Sequence, residues 1–79
     1  AGFEYFYIKL LPGAEHVSIP HDNSTEEYIV VTKGRLLLTV GKQSFDLEAP
    51  SAIVFNAGED HSYSNPYEEE AIFQNIIKY

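Results

Sequence analysis

The sequence predicts an all-β fold, and two observations lead to this prediction. Short runs rich in aromatic and β-branched residues follow one another along all 79 residues, with turn residues between them. No window shows a sustained apolar period of about 3.6 residues, the pattern of an amphipathic helix. The choice is between a sandwich and a barrel, and closing so small a sheet into a barrel removes its exposed edges. We therefore predict a small antiparallel β-barrel with no substantial helix.

The first half of the chain contains four predicted extended segments, which are residues 3–10, 15–20, 26–32 and 35–40. The Pro12-Gly13 pair ends the first of them, because proline fixes φ and glycine permits a positive φ. The polar segment 21–24 reads as a loop. Lys33-Gly34 joins the last two segments, which therefore begin a meander of neighbouring strands.

The second half repeats this alternation, with predicted strands at 43–47, 52–55, 61–64 and 71–77. The turns between them are read from Gly41-Lys42, Pro50-Ser51, Asn56-Ala57-Gly58 and Asn65-Pro66. The acidic run Glu68-Glu69-Glu70 follows the last turn and is interpreted as a solvated loop.

Composition excludes several functions. Twelve acidic residues against five basic ones give a net charge of −7, which repels the phosphate backbone, so this segment should not bind DNA itself. The absence of cysteine excludes disulfides and thiolate metal sites. No apolar run reaches the roughly 18 residues of a membrane span, and no signal peptide is evident. We expect a cytoplasmic protein with no membrane partner.

A chain of this length holds one domain, spanning residues 1–79. So small a domain buries only about 60% of the surface that its unfolded chain exposes. We therefore expect a homodimer in which the partner covers one apolar sheet face. The chain starts at Ala1 and reads as strand almost at once, so we expect it to come from a longer protein.

Three side chains are candidate metal ligands: His21, Glu27 and His61. Two imidazoles with one carboxylate form the facial set that binds non-haem iron and some other divalent ions. Glu27 and His61 each open a strand, and His21 ends the extended piece before the strand of Glu27. The alternative is that both histidines are solvent-facing and that Glu27 belongs to an exposed Glu26-Glu27 pair. His16 lacks such a pattern and is interpreted as a surface residue.

Aromatic residues on the later strands are candidates for an effector pocket, namely Tyr63, Phe55 and Phe73, with Tyr28 beside them. The alternative is that they simply fill the core, as aromatics in small barrels usually do. No nucleophile motif and no glycine-rich phosphate loop is present, so no catalytic residue is assigned.

The stretch PGAEHVSIPHDNSTEEYIVVTKG resembles the first motif of the cupin superfamily. In that motif a glycine precedes His-x-His, a glutamate and a second glycine. Gly13, His21, Glu27 and Gly34 fit this pattern, whereas Ile19 occupies the place of the first histidine.

The second cupin motif, Pro-x-Gly-x-x-His-x-x-x-Asn, is similar to the segment from Asn56 to Asn65, in which Asn56 replaces the proline. Together the two motifs imply a jelly-roll-like double-stranded β-helix. They also imply one divalent metal, Zn, Fe, Mn or Ni, on His21, Glu27 and His61. A free-standing metal-dependent dioxygenase or isomerase is therefore one functional alternative.

A narrower resemblance covers the stretch EEYIVVTKGRLLLTVGKQSFDLEAPSAIVFNAGEDHSYSN, which looks like the C-terminal cupin of XRE-type helix-turn-helix regulators. This resemblance implies a sensor domain that binds a small-molecule effector in its barrel and dimerises the regulator. It would contact DNA only through a helix-turn-helix domain outside this chain. We expect this non-enzymatic function first.

Overall fold

All the regular structure in the computed structural model is β-strand, and the model describes residues 2–20 and 24–79. Within these ranges the strands are β1 (Phe3–Leu10), β2 (Glu15–Ser18), β3 (Glu26–Lys33), β4 (Arg35–Val40), β5 (Gln43–Glu48), β6 (Ser51–Asn56), β7 (His61–Ser64) and β8 (Ala71–Lys78). Each of them was predicted, and the bounds differ by at most two residues. The all-β prediction is confirmed.

The strands form two antiparallel sheets of four. Sheet 1 has the order β1-β8-β3-β6, and sheet 2 has the order β2-β7-β4-β5. Among the described strands, those that follow one another in the chain therefore lie in different sheets, except for β4 and β5, which pair as a hairpin in sheet 2. The two sheets face each other across one core, which is the jelly-roll arrangement that the sequence predicted.

The core consists of inward-facing residues from both sheets. Side chains alternate between faces along a strand, so Ile29 and Val31 of β3 point inward together. Leu36 and Leu38 of β4 meet them from sheet 2, and Phe73 of β8 completes the centre; all five are completely buried. Burial of each such side chain stabilises the fold by about 1.5–3 kcal/mol.

Strand register also places polar residues inside the barrel. Glu27 of β3 lies opposite Ile77 of β8 and Phe55 of β6, all on the inner face of sheet 1. On sheet 2, Tyr63 and His61 of β7 lie opposite Leu38 and Val40 of β4, which belong to the core. The two sheets therefore present polar side chains to the same interior space.

The opposite face of sheet 1 is apolar as well, although it points away from the core. One cross-strand row runs over all four strands through Tyr5, Ile76, Tyr28 and Val54. Phe3 and Tyr7 lie on the same face of β1, one on each side of this row, and are 73% and 63% exposed. We call this surface the outer face of sheet 1.

No helix in the part of the chain that the structure describes has the length and hydrophobicity needed to cross a membrane.

Candidate functional site

Four polar side chains are buried together between the two sheets. Glu27 and Asn75 come from neighbouring strands of sheet 1, and His61 and Tyr63 come from β7 of sheet 2. Their exposed fractions are only 1% for Glu27, 5% for Asn75, 3% for His61 and 1% for Tyr63. Polar groups removed so completely from water are costly unless they pair with one another, so this cluster is a candidate site.

The carboxylate of Glu27 is the centre of the cluster. Its Oε1 accepts hydrogen bonds from the hydroxyl of Tyr63 and from Nδ2 of Asn75, the latter at 2.8 Å. Its Oε2 lies 3.1 Å from Nε2 of His61, which is an ion-pair distance. Asn75 Nδ2 also lies 3.2 Å from the Tyr63 oxygen, so the amide bridges both partners. The carboxylate, which β3 carries, is thus bound by side chains from β8 in sheet 1 and from β7 in sheet 2.

Both ring nitrogens of His61 face acceptors. Nδ1 donates to the backbone carbonyl of Glu59 at 3.0 Å, because a carbonyl oxygen can only accept. Nε2 faces the Glu27 carboxylate, so a proton on Nε2 is favourable too. Burial alone would lower the pKa of His61, but the bonds to Glu27 and Glu59 outweigh it and raise that pKa above its ordinary value.

The carboxyl group of Glu27 shows the complementary effect. Burial would raise its pKa, yet hydrogen bonds from His61, Tyr63 and Asn75 outweigh burial and lower the pKa below its ordinary value. The pKa of Tyr63 is strongly raised, first by burial and then by the adjacent carboxylate. The site therefore holds an ionised Glu27 beside a neutral phenol.

A cavity of about 450 Å³ lies over this cluster. Its walls are apolar and consist of Phe6, Ile8, Val17, Ile19 and Ile77. Its polar lining consists of Glu27, Asn75, Ser18 and His16. An apolar cleft of this size with a few convergent polar groups is the usual form of a small-molecule site.

Comparison with known proteins identifies the family of this barrel. The sequence profile described as a cupin domain matches residues 6–77. The chain belongs to the cupin family. A search of curated protein sequences gave no match.

Solved structures with the same cupin fold include parts of transcriptional regulators. The cupin domain of an XRE family transcriptional regulator from Enterobacter cloacae is 30% identical with a TM-score of 0.93, over 98% of this chain and 81% of that one. An HTH_3 family transcriptional regulator from Vibrio cholerae is 35% identical with a TM-score of 0.90. That match covers 99% of this chain but only 43% of the Vibrio protein.

Another solved cupin is described as a predicted oxalate decarboxylase from Thermotoga maritima. It is 20% identical with a TM-score of 0.81, over 92% of this chain and 63% of that one. Identity at this level shows the shared fold alone. The cupin fold thus occurs both in regulators and in a protein described as an enzyme.

Two of the three predicted metal ligands, Glu27 and His61, meet in this cupin. Both are buried, so the alternative that they are solvent-facing is wrong for these two residues. Ile19, in the place of a motif histidine, is 83% exposed at the rim of the cavity. His21 lies outside the described residues.

The described residues do not by themselves fit a divalent ion. A carbonyl bond to Nδ1 suits a histidine that binds metal through Nε2, and a separation of 3.1 Å suits two ligands of one ion. However, a site needs at least three protein ligands, and within the described ranges no group of three His, Cys, Asp or Glu side chains could hold an ion. Metal binding through His21 stays a prediction.

The aromatic residues predicted for an effector pocket lie beside the cluster. Tyr63 belongs to it through its hydroxyl group. The ring of Phe55 packs edge-on against that of His61, with centroids 5.1 Å apart. The ring of Phe73 packs against that of Tyr63, with centroids 5.4 Å apart. Phe55 and Phe73 thus contact the buried rings of His61 and Tyr63, and their contact with an effector stays a prediction.

Sequence reasoning missed three polar residues of the cavity: Asn75, Ser18 and His16. Asn75 belongs to the inward-facing series of β8, whose other members are apolar. A polar residue at an inward position was therefore the available signal in the sequence. His16 is exposed, as predicted, but its ring stacks on Tyr63 with centroids 6.1 Å apart. No signal in the sequence alone showed that this surface histidine lines the cavity.

Proposed function

We propose that this cupin is the effector-binding and dimerisation domain of a bacterial helix-turn-helix transcriptional regulator. The effector would occupy the cavity above Glu27 and Asn75, and DNA would be contacted only by a domain outside this chain. Such a regulator works in the cytoplasm, where its DNA lies. The single observation that carries the proposal is the 450 Å³ cavity with its buried polar floor, on a fold shared with regulators.

The relatives support the regulatory part of the proposal. Two solved structures that are at least 30% identical come from transcriptional regulators. The present chain accounts for 43% of the Vibrio protein, so most of that regulator lies outside the matched cupin. The net charge of −7 agrees with a domain that leaves DNA contact to another part.

The cavity supports the sensing part. An effector that binds it would contact β1 and β2 at its walls and β3 and β8 at its floor. Strands of both sheets therefore share one ligand, and the ligand favours whichever arrangement of the sheets it fits better. A sensor needs this difference in affinity between two states, because a ligand that binds both equally shifts nothing.

The outer face of sheet 1 supports the dimerisation part. Phe3, Tyr5 and Tyr7 are 73%, 54% and 63% exposed, and Val54 at the other end of the row is 50% exposed. At about 150–250 Å² per aromatic side chain, the three β1 aromatics alone offer on the order of 400 Å². Tyr28 and Val54 are 36% and 50% exposed, so together with Ile76 they raise this area to roughly 600 Å², about three quarters of the roughly 800 Å² that each partner of a stable complex buries.

A second copy of the chain is the partner that we propose for this face. The row from Tyr5 to Val54 spans the whole width of the sheet, so two copies can pack face to face about a two-fold axis. A domain this small gains most from such burial, since its own core covers little surface.

A metal-dependent enzyme is the alternative function, and metal analysis separates it from the sensor. Protein purified without chelator would contain one equivalent of Zn, Fe, Mn or Ni if His21 joins Glu27 and His61. The variants His21→Ala and His61→Ala would then lose the metal, whereas His16→Ala would retain it. Protein without metal in all four forms would leave the enzyme alternative without support.

The native full-length protein tests the regulatory proposal. We expect a helix-turn-helix segment upstream of Ala1 in the gene. We also expect the affinity of the full-length protein for its operator to change when an effector that binds the cavity is added. Fluorescence anisotropy with labelled operator DNA measures this change. A gene without any DNA-binding segment would overturn the proposal.

A further inference from the structure

The side-chain amide of Asn75 has a fixed orientation and one acceptor left over. Its Nδ2 faces the Glu27 carboxylate at 2.8 Å, and because a carboxylate only accepts, nitrogen rather than oxygen must occupy this position. Oδ1 is therefore the amide atom that does not face the carboxylate. It is buried, and in the described part of the chain no donor reaches it. A buried acceptor of this kind is stabilised by any donor that a ligand brings.

The same cavity is lined by Asn75 and by apolar side chains. Asn75 and Glu27 form its floor, where both oxygens of Glu27 face partners and Oδ1 of Asn75 is the acceptor left without a donor among the described residues. Phe6, Val17 and Ile19 surround the opening, and they are 43%, 69% and 83% exposed. No lysine or arginine lines the cavity within the described ranges. The arrangement has acceptors at the bottom and exposed apolar side chains at the top.

We propose that the cavity takes an amphiphilic small molecule with a hydrogen-bond-donating head group, an alcohol or a primary amine, on an apolar body. The head donates to Oδ1 of Asn75 beside the Glu27 carboxylate, and the body lies against Phe6 and Ile19. A ligand with an anionic head is rejected, since it meets an ionised carboxylate and no cation of lysine or arginine type. This inference rests on the proposed function, because it names the chemical class of the effector.

Three probes with the same cyclohexyl body and different head groups test the proposal: cyclohexylmethanol, cyclohexylmethylamine and cyclohexanecarboxylate. Isothermal titration calorimetry on the wild-type chain should detect binding of the alcohol, the amine or both, and at least about tenfold weaker binding of the carboxylate. Comparison of the alcohol with the amine decides whether the head is neutral or charged. Binding of the carboxylate as tight as that of either donor would overturn the proposal, as would no binding of either donor.

Variants at one strand locate the interaction. Asn75→Leu removes the acceptor and should weaken binding of the donor probe about tenfold or more. Gln74→Leu changes the neighbouring residue, which faces away from the cavity, and should leave the affinity unchanged. Unchanged affinity in Asn75→Leu would contradict the proposed contact.

A measurement on the wild type covers the case in which Asn75→Leu does not fold. The side-chain amide protons of Asn75 should shift in the nuclear magnetic resonance spectrum when the donor probe is added, and those of Gln74 should not. Shifts confined to the outer face of sheet 1 would overturn the proposal. Tight binding of the carboxylate inside the cavity would refute only the ligand class and leave the regulatory proposal intact, which the full-length protein tests separately.

Discussion

Asn65 shows how one buried side chain holds a turn of this barrel. It is completely buried just after β7, and its Nδ2 donates to the carbonyls of Leu10 at 2.9 Å and Glu69 at 2.7 Å. Its Oδ1 accepts from the backbone nitrogen of Tyr67 at 3.0 Å. The residue thus pairs with three backbone groups, and it joins the end of β1 to the loop before β8.

Replacement of Asn65 by alanine should destabilise the fold by about 2–4 kcal/mol, because three backbone groups lose their partner and a small cavity forms. Urea denaturation measures this loss as a lower midpoint with an unchanged slope. Asn56→Ala is the matched control, since Asn56 is exposed and its Oδ1 accepts a hydrogen bond from the nearby backbone nitrogen of Gly58; this variant should cost less than about 1 kcal/mol. Equal losses in both variants would contradict the structural role of Asn65.

Sequence reasoning identified three of the four residues of the buried cluster, Glu27 and His61 as metal ligands and Tyr63 as a pocket aromatic. Glu27 and His61 were identified because each opens a strand and both matched motif positions. Asn75 was not singled out, although it is a polar residue on the inward face of β8, which is otherwise apolar. The bond between Asn75 and Glu27 depends on how β3 and β8 pair, and these strands lie 48 positions apart at the two residues. A single sequence fixes such a register only weakly.

At the scale of elements, the turn between β3 and β4 depends on Gly34. Its φ is +74°, and an added Cβ would collide with the backbone carbonyl of Glu70 in the loop before β8. Gly13 has a similar φ of +83°, but nothing lies within 4 Å of its Cβ position. Both glycines therefore have a positive φ that alanine rarely adopts. They differ in that only the Cβ position of Gly34 is close to other backbone atoms.

Gly34→Ala should destabilise the barrel more than Gly13→Ala does. Each variant pays about 1–2 kcal/mol for a left-handed alanine, and only Gly34→Ala must also displace backbone, which adds about 1–3 kcal/mol. Thermal denaturation of both variants and the wild type measures the difference directly. Equal melting temperatures for the two variants would show that the loop at Glu70 moves aside without cost.

The strands themselves were predictable because their signals are local. Alternation of apolar residues and the glycine, proline and asparagine turns gave all eight strands within two residues. The order of strands in the sheets did not follow from these signals, because β8 pairs with β1 and β3 over most of the chain length. The motif resemblance implied the jelly-roll-like fold, but no strand order was predicted.

At the scale of the whole molecule, the outer face of sheet 1 should hold two copies together. The double variant Tyr28→Glu with Val54→Glu places two carboxylates in the middle and at one end of the apolar row. Sedimentation velocity should show a dimer for the wild type and a monomer for this variant, since unpaired buried charges cost several kcal/mol. Ser44→Glu, on the exposed face of sheet 2, is the control and should remain dimeric. A monomeric wild type would contradict the interface.

The central claim is that the cavity over Glu27 and Asn75 binds a small effector, and ligand-dependent melting tests it most directly. A ligand at about ten times its Kd adds about 1.4 kcal/mol, which raises the Tm of a domain of this size by roughly 6–10 °C. We predict such a shift for at least one compound in a screen of amino acids, sugars, organic acids, alcohols and amines. Ser18→Phe, which fills the cavity, should abolish the shift, and Ser44→Phe on the other side of sheet 2 should preserve it. A shift that persists unchanged in Ser18→Phe, or no shift with any compound, would contradict the account.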